Sequence, residues 1–433
     1  MRNPLAPRLA ARVPAVRPAK SGVTRATTVV ADRHDGMFAA LHRYPVYRKL
    51  WTGMLCASLG QWMQNIALAW IALELTDSEF FVGLVGFSAG LPFLVVSIPA
   101  GVLVDRMDRR RLLLICQGLA AVLAVIVAAV VLLDLVQPWQ LLVAAFLNGS
   151  LQATMTPTQQ SLVPAIVDRK DLTNAIALNS AGMNMTRAGG PFIAGALIGI
   201  AGAGSAFAVQ AVALTASFFL VARIDLPAHL PRRSTGGIRG AFEGIRLIAS
   251  REDLRALFLL ACIPTFFVFP YIQFLSIFAR DILEIGPAGL GILMGASGLG
   301  AVVGSLLTAR RRETAGAGRL NVILTVVYGV FVVGIALSNS VWLSLPLLFS
   351  AGVFGAMYMS SNNALIQLRI SDEVRGRVMS AYLLTFGLMP LGAMPMGIVA
   401  DQFSTQAAVA GGAILSSLLA ALIGVRSRAL REI

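Results

Sequence analysis

Arg187 is the most unusual charge in this sequence, because it lies near the middle of a long apolar run. On insertion scales an arginine at the centre of a bilayer costs about 2.5–3.5 kcal/mol, so it must face a cavity or a polar partner. Asn179 and Met183 precede it at intervals of four residues and therefore share its face of a helix. Such a face could hold the polar part of a small molecule, or it could be a polar clamp between helices.

Polar and aromatic residues in other apolar runs could line the same cavity. For any single one of them, contact with lipid or with a neighbouring helix is the ordinary role. Taken together, aromatic and methionine surfaces adapt to varied apolar ligands, so we expect an amphipathic organic molecule rather than a sugar or an inorganic ion. The predicted cavity residues are Arg187, Gln61, Asn65, Asn148, Gln152, Asn179, Asn184, Phe267, Tyr271, Tyr358 and Asn362.

Residue types that would support catalysis or metal binding are scarce in the apolar runs. Cys56, Cys116 and Cys262 lack the spacing of a metal site, and the histidines lie outside the runs. No carboxylate pair converges within them, and no glycine-rich nucleotide loop of the G-x-x-x-x-G-K type occurs. We therefore predict that this chain is not an enzyme and not an ATP-driven pump. We also predict that it binds no metal and no other cofactor.

The composition requires a membrane protein, since 57% of the 433 residues are hydrophobic and 13% are charged. Arginine-rich loops alternate with acidic ones, which predicts an even number of spans with both termini cytoplasmic. The net charge of +14 follows from these loops, so we predict no nucleic-acid partner. The predicted spans are 48–73, 80–104, 111–133, 138–163, 172–201, 205–222, 256–279, 287–308, 319–337, 341–367, 376–400 and 406–425.

The two halves of the chain repeat with a constant offset of 203 residues, as between Gly149 and Gly352 or between Gly189 and Gly392. We therefore predict an all-α membrane protein with twelve transmembrane helices in two pseudo-symmetric six-helix bundles, 46–222 and 256–433. Residues 223–255 would be a cytoplasmic linker, partly an amphipathic helix on the membrane surface. Residues 1–45 are predicted to be a basic, disordered tail without a secretory signal, with Met37 as an alternative start.

The loop between the second and third spans reads Gly101-Val-Leu-Val-Asp105-Arg106-Met-Asp-Arg109. This pattern resembles the signature loop of the major facilitator superfamily, although Asp108 stands where that family usually has glycine. The resemblance implies that Gly101, Asp105, Arg106 and Arg109 form a gating latch, which ties helix ends together in the outward-facing state. The alternative is an ordinary basic cytoplasmic hairpin.

The fifth span contains Asn-x-x-Arg-x-x-Gly-Pro-x-x-x-Gly from Asn184 to Gly195. This run resembles the fifth-helix motif of the enterobactin-exporter-like and multidrug efflux branch. Residues 375–392 resemble the eleventh helix of the same branch. The resemblance implies that glycine and proline thin and kink the helix so that the halves pack closely. The residues with this helix-packing role are Gly189, Gly190, Pro191 and Gly195.

The resemblance implies a secondary active transporter of the bacterial inner membrane that exports a drug, siderophore or secondary metabolite by alternating access. Its expected partners are that small molecule, the lipid bilayer and protons in antiport, and we expect a monomer. Many relatives carry an aspartate in the first helix, where this chain has Gln61. Proton coupling would therefore have to use Asp105 or Glu74 instead, or transport would not be coupled to protons. The alternatives are an uptake carrier, a lysolipid flippase, or a receptor or scaffold that transports nothing.

Overall fold

The computed structural model describes residues 38–96, 99–100, 103, 107–168, 170–224, 237–310 and 316–431. Within these residues the chain folds into helices and short connections, without a strand. The predicted latch residues Gly101, Asp105 and Arg106 lie outside the described residues, as do the start of the N-terminal tail and part of the linker.

The helices are numbered here in chain order. They are α1 (Ala39–Arg43), α2 (Pro45–Thr76), α3 (Glu79–Val95), α4 (Arg109–Leu132), α5 (Pro138–Ile166), α6 (Leu172–Ala201), α7 (Ala203–Ala222), α8 (Gly237–Ser250), α9 (Glu252–Phe267), α10 (Tyr271–Ile277), α11 (Gly286–Arg310), α12 (Ala317–Ala336), α13 (Val341–Leu368), α14 (Asp372–Leu384), α15 (Leu388–Gln402), α16 (Thr405–Arg426) and α17 (Arg428–Arg431). A π-helix, Phe278–Ile282, extends α10, and a 3₁₀ turn, Thr385–Gly387, joins α14 to α15.

Every predicted span overlaps a helix, and several of these helices could cross a bilayer by themselves. Among the described residues, 7 helical segments are long and apolar enough to do so. They are α4, α7, the segment Glu252–Ile282, α11, α12, α13 and α16. The all-helical membrane fold is therefore confirmed, while the number of twelve spans and the side on which the termini lie stay predictions.

Proline divides the seventh predicted span into α9 and α10. Pro270 has no backbone N–H and its ring crowds the carbonyl one turn earlier, which disfavours a continuous helix at this position. The helix accordingly ends at Phe267 and begins again at Tyr271. Gly392 of α15 packs against the Phe266 carbonyl at this break, which only a residue without a side chain can do.

Short helix α1 differs from the expected disordered tail, because it is anchored to the start of α6. The Ala40 amide donates to Asn174 Oδ1 at 3.1 Å, and Arg43 Nη1 forms an ion pair with Asp171 Oδ2 at 2.8 Å. The Tyr44 hydroxyl lies 2.9 Å from a carboxylate oxygen of Asp171. These polar contacts hold residues 39–43 in place against α6. An extended tail would not make such contacts.

Helix α8 lies within the predicted linker and packs against α14. Gly244 rests on the backbone at Arg377, where a Cβ would lie 2.7 Å from the Arg377 carbonyl carbon. Arg377 Nη1 pairs with Glu243 Oε2 at 2.8 Å, and Ile248 is buried. This part of the linker is thus attached to the second bundle, and α9 begins at Glu252 rather than at the predicted residue 256.

The repeat predicted from the sequence recurs in the packing of the two halves. Gly149 of α5 lies against the Ala89 carbonyl of α3, and Gly352 of α13 lies against the Ser297 carbonyl of α11. These glycines are separated by the repeat offset, and each brings the fourth helix of its half onto the second. The two bundles therefore use the same close backbone approach.

The halves meet along two seams of small residues, α6 with α11 and α3 with α15. On the first seam, a Cβ on Gly195 would lie 2.8 Å from Gly291 Cα, and one on Gly298 would lie 2.6 Å from Ala188 Cα. On the second, a Cβ on Gly83 would lie 2.8 Å from the Ala393 carbonyl oxygen. Small residues allow the backbones to touch, so packing rather than polar bonding holds these seams together.

Gly195→Ala is expected to lower the midpoint of thermal unfolding in detergent. The new methyl meets backbone atoms that cannot rotate away, which costs about 1–3 kcal/mol and exceeds the helix propensity of about 0.5–1 kcal/mol that alanine adds. Gly189→Ala is the matched control, because nothing lies within 4 Å of its Cβ position. The control should match or exceed the wild type, and equal melting of the two variants would contradict this account of the seam.

Arg43→Gln is expected to weaken the anchor of α1 and to change how stability depends on pH. Hydrogen bonds from Arg43 are the main cause that holds the pKa of Asp171 below its ordinary value of 3.8. A carboxyl with a depressed pKa stabilises the fold above its ordinary pKa, and this contribution disappears as the pH falls through the lowered value.

The Arg43→Gln protein should therefore be less stable by about 1 kcal/mol at pH 7 and should lose less on acidification than the wild type. Thermal unfolding followed between pH 3 and pH 7 measures both quantities. Parallel pH profiles for the two proteins would show that Arg43 does not set the charge of Asp171.

Candidate functional site

Arg187 lies midway along α6, where the two halves of the molecule meet. Its guanidinium carbon lies 5.9 Å from the centre of the Trp62 ring on α2, within the range of a cation–π contact. Among the described residues it has neither a hydrogen-bond partner nor a counter-charge, and the residue is half-buried. A fixed positive charge is therefore presented at the junction of the halves.

Two small cavities adjoin Arg187 on the side of the second half. One encloses about 20 Å³ and the other about 10 Å³, so each has room for about one water molecule. The first is lined by Trp62, Arg187, Pro191, Ile272, Leu275, Met294, Ser297 and Gly298. The second is lined by Arg187, Phe269, Tyr271, Ile272, Ser297, Tyr328, Ala351, Gly352, Gly355, Ala356 and Met359.

Hydrogen bonds between side-chain amides join α2 to α5 in the first half. Gln152 donates to Gln61, which in turn donates to Asn65 Oδ1 at 3.1 Å. Asn148, one turn before Gln152, is buried. The structure thus brings four predicted cavity residues together, and they present a polar surface between α2 and α5.

A cluster of aromatic rings forms the second half's part of the site. The Tyr328 ring centre is 5.9 Å from that of Phe269 and 5.9 Å from that of Tyr358. Tyr271 is 2% exposed and lines the same cavity as Arg187. Trp62, Ser297 and Tyr328 were not predicted as site residues, because each reaches Arg187 from a different helix and no sequence spacing links them.

Other predicted cavity residues are placed in packing contacts. Asn362 is fully buried, where its Nδ2 donates to the Leu257 carbonyl at 3.1 Å and its Oδ1 accepts from Asn321 at 2.9 Å. Asn179 accepts from the Tyr47 hydroxyl at 3.0 Å. Phe267 stacks edge to face on Phe266 with ring centres 4.8 Å apart. Asn184 is half-buried on α6.

The predicted helix-packing residues divide into two groups. Gly195 and Pro191 contact α11, where the Pro191 carbonyl lies against Gly291. Gly190 instead faces α2, since a Cβ there would lie 2.7 Å from Trp62 Cβ. Gly189 has no neighbour within 4 Å of its Cβ position, so it does not share this close packing.

A charge pair links the halves at one membrane side, and we call it the Asp77–Arg280 clasp. Arg280 Nη2 forms an ion pair with Asp77 Oδ1, while its Nη1 donates to the Leu73 carbonyl at 2.9 Å. The guanidinium thus also neutralises the negative end of α2. Arg280 is a basic residue in an otherwise acidic loop with Asp281 and Glu284, and this contact gives it a role.

The two ends of the helices carry different charged residues, and we name the two sides of the molecule after them. The clasp side carries Asp77 and Arg280, and the latch side carries Arg109 and Asp171. Arg109, the latch residue that the structure describes, donates from Nη1 to the Ser161 carbonyl of α5 at 3.3 Å. Asp108, which departs from the family pattern, caps α4 by accepting from the Arg111 amide at 2.9 Å.

Asn362→Leu tests whether the buried amide is a structural clamp. The substitution leaves the Leu257 carbonyl and Asn321 without their partner, which should cost about 1–3 kcal/mol and lower the unfolding midpoint in detergent. Asn363→Leu is the neighbouring control, because Asn363 is half-buried rather than fully buried and accepts a hydrogen bond from Gln367 one turn away on the same helix. An Asn362 variant that melts like the control would assign Asn362 to the cavity instead.

Comparison with known proteins identifies the family. The family model described as transmembrane secretion effector matches residues 36–433. The chain is 25% identical over 350 residues to "Staphyloferrin A transporter" of Staphylococcus aureus (strain NCTC 8325 / PS 47), covering 80% of this chain and 87% of that one. It is 27% identical over 392 residues to "Multidrug efflux pump Tap" of Mycolicibacterium fortuitum, covering 88% and 95%.

A third relative and two solved structures agree with this assignment. "Macrolide efflux protein A" of Streptococcus pyogenes is 22% identical over 400 residues, covering 89% of this chain and 95% of that one. A bacterial homologue of the human lysosomal transporter Spinster, inward-facing and occupied, has a TM-score of 0.70 at 16% identity and covers 90% of this chain and 96% of that one. A POT family transporter has a TM-score of 0.71 at 12% identity, covering 89% and 96%. The chain therefore belongs to the transmembrane secretion effectors of the major facilitator superfamily, as a multi-pass transporter of the bacterial plasma membrane and not an enzyme.

Proposed function

We propose that this protein exports an amphipathic small molecule by alternating access, taking it up on the latch side and releasing it on the clasp side. One observation carries the proposal. Arg187 lies at the junction of two bundles that are clasped together on one side of the membrane. Alternating access needs such a central site between two gates that open in turn.

The charges support an orientation with the latch side in the cytoplasm. Arg109, Arg110, Arg111 and Lys170 lie on the latch side, whereas loops on the clasp side carry aspartates such as Asp134. Basic loops are retained in the cytoplasm, so both termini would be cytoplasmic and the helices would form twelve spans.

The packing of α6 supports a molecule that is open toward the cytoplasm. The close approaches between α6 and α11 lie between Ala188 and the clasp side. Met183, one turn from Arg187 toward the latch side, is 54% exposed on the face that it shares with Arg187. A path toward Arg187 from the cytoplasmic side is what an exporter needs before it binds its cargo.

The relatives and the lining residues support an amphipathic cargo. The relatives' names include a siderophore transporter, a macrolide efflux protein and a multidrug pump. Aromatic and methionine residues line the cavities, and such side chains accept varied apolar shapes. Proton antiport stays an expectation from the family, since the described carboxylates of the bundle helices lie at helix ends rather than beside Arg187.

Labelling of a cysteine at position 183 tests alternating access without knowledge of the cargo. In a background without Cys56, Cys116 and Cys262, Met183→Cys should react with a membrane-impermeant maleimide in inverted vesicles and not in intact cells. Adding Arg280→Gln removes the clasp, and labelling in intact cells should then rise about twofold to fivefold, as expected for an exposed ion pair.

Met185→Cys is the matched control. Met185 is 71% exposed but lies on another face of α6, so a polar reagent should reach it from neither side. Labelling of position 183 from both sides with the clasp intact would indicate a channel. Labelling that Arg280→Gln leaves unchanged would show that the clasp is no gate.

A further inference from the structure

We propose that the cargo carries a negatively charged group, such as a carboxylate, and that Arg187 binds it. This inference rests on the proposed export function, because it assigns the chemistry of the cargo to the same site. It names an amphipathic organic anion, with the charged group at Arg187 and the apolar body beside it.

Arg187 lacks the carboxylate or carbonyl partners that Arg43, Arg110 and Arg280 have at helix ends. Arg43 pairs with Asp171, Arg280 pairs with Asp77, and Arg110 donates to the Ala222 carbonyl. Among the described residues Arg187 has no hydrogen bond or ion pair, and its guanidinium lies over the Trp62 ring. An arginine deep in a membrane protein is costly unless its charge is balanced, so an anion from outside the chain would complete this site.

The surroundings of Arg187 favour an anion over a cation. The residues that line the two cavities include neither aspartate nor glutamate, and their polar groups are the Ser297, Tyr271 and Tyr328 hydroxyls and the Trp62 indole. Hydroxyl and indole N–H groups can donate to an anion beside the guanidinium. A cationic cargo would meet a like charge without any carboxylate to hold it.

The two cavities beside Arg187 are small. Cavities of about 20 and 10 Å³ admit one small polar group each and not a whole organic molecule. The rest of the cargo must therefore extend along α6 toward exposed Met183 and the latch side. This arrangement places the charged group deepest and the apolar body toward the entrance.

An anionic cargo also supplies a driving force that needs no titratable group in the membrane. The inside-negative potential favours outward movement of a negative charge by about 50-fold per 100 mV. Export would then be electrogenic whether or not a proton moves in the opposite direction. This agrees with a site that contains a fixed cation and no carboxylate.

Three probes with one apolar body test the charge preference. They are 1-pyrenebutyrate, 1-pyrenebutanol and a pyrenebutyl trimethylammonium salt, and their binding to the purified full-length protein is followed by fluorescence. We expect the carboxylate to bind about 10-fold to 100-fold more tightly than the alcohol, as for a charge-assisted hydrogen bond. Arg187→Gln should abolish this difference, and Arg187→Lys should retain part of it.

Arg319→Gln is the matched control, because Arg319 is exposed near the start of α12 and its loss should leave the preference unchanged. Equal binding of the three probes, tighter binding of the ammonium probe, or binding of none would overturn the inference. So would a carboxylate preference that survives in a folded Arg187→Gln protein. These results leave the labelling of position 183 unaffected, so failure of alternating access is recognised separately.

Transport in inverted vesicles tests the movement of charge. A potassium diffusion potential that is positive inside the vesicle should raise accumulation of 1-pyrenebutyrate by about 50-fold per 100 mV at steady state and should not affect 1-pyrenebutanol. Accumulation of the carboxylate that ignores the potential would show that it does not cross as an anion, which contradicts the proposal.

Discussion

Direct backbone contact between α6 and α11 is the constraint on which the rest of the molecule depends. Between helices in lipid there is little hydrophobic gain, so the two halves associate through close packing of small residues. Gly195, Gly291 and Gly298 allow this approach at the clasp end of the seam. Because the same helix α6 carries Arg187, any separation of the halves also changes the surroundings of the central charge. Packing and binding are thus coupled through one helix.

Most described charges in this chain lie at the ends of the helices rather than in their apolar middles. Charges at helix ends are neutralised by neighbouring carboxylates, carbonyls or helix termini, as at Arg43 and Arg280. Arg187 alone among the described charges lies deep in a bundle helix without such a partner. Within the described residues, the contact with the Trp62 ring is what partners this charge in the empty carrier. A charge so placed fits a role that is fulfilled when an anion is bound.

Much of the fold could be predicted from hydropathy, loop charge and the repeat, because these depend on the bilayer and not on details of packing. The helix positions follow from them, whereas the family and the expectation of export came from the resemblance of the loop at 101–109 and of the run at 184–195 to known motifs. The site was harder. An asparagine in an apolar helix looks the same whether it faces a cavity or, like Asn362, binds a buried carbonyl. Trp62 and Tyr328 join Arg187 only through tertiary packing, which local spacing does not encode.

The Asp77–Arg280 clasp has a consequence for the history of the two halves. Its residues are 203 positions apart, which is the repeat offset, so the pair joins equivalent positions of the two bundles. In a carrier with identical halves, equivalent positions hold the same residue, and two aspartates or two arginines would then face each other. Attraction at this point requires the copies to have become different. Here the loss of internal symmetry adds an ion pair to the packing that joins the two halves on the clasp side.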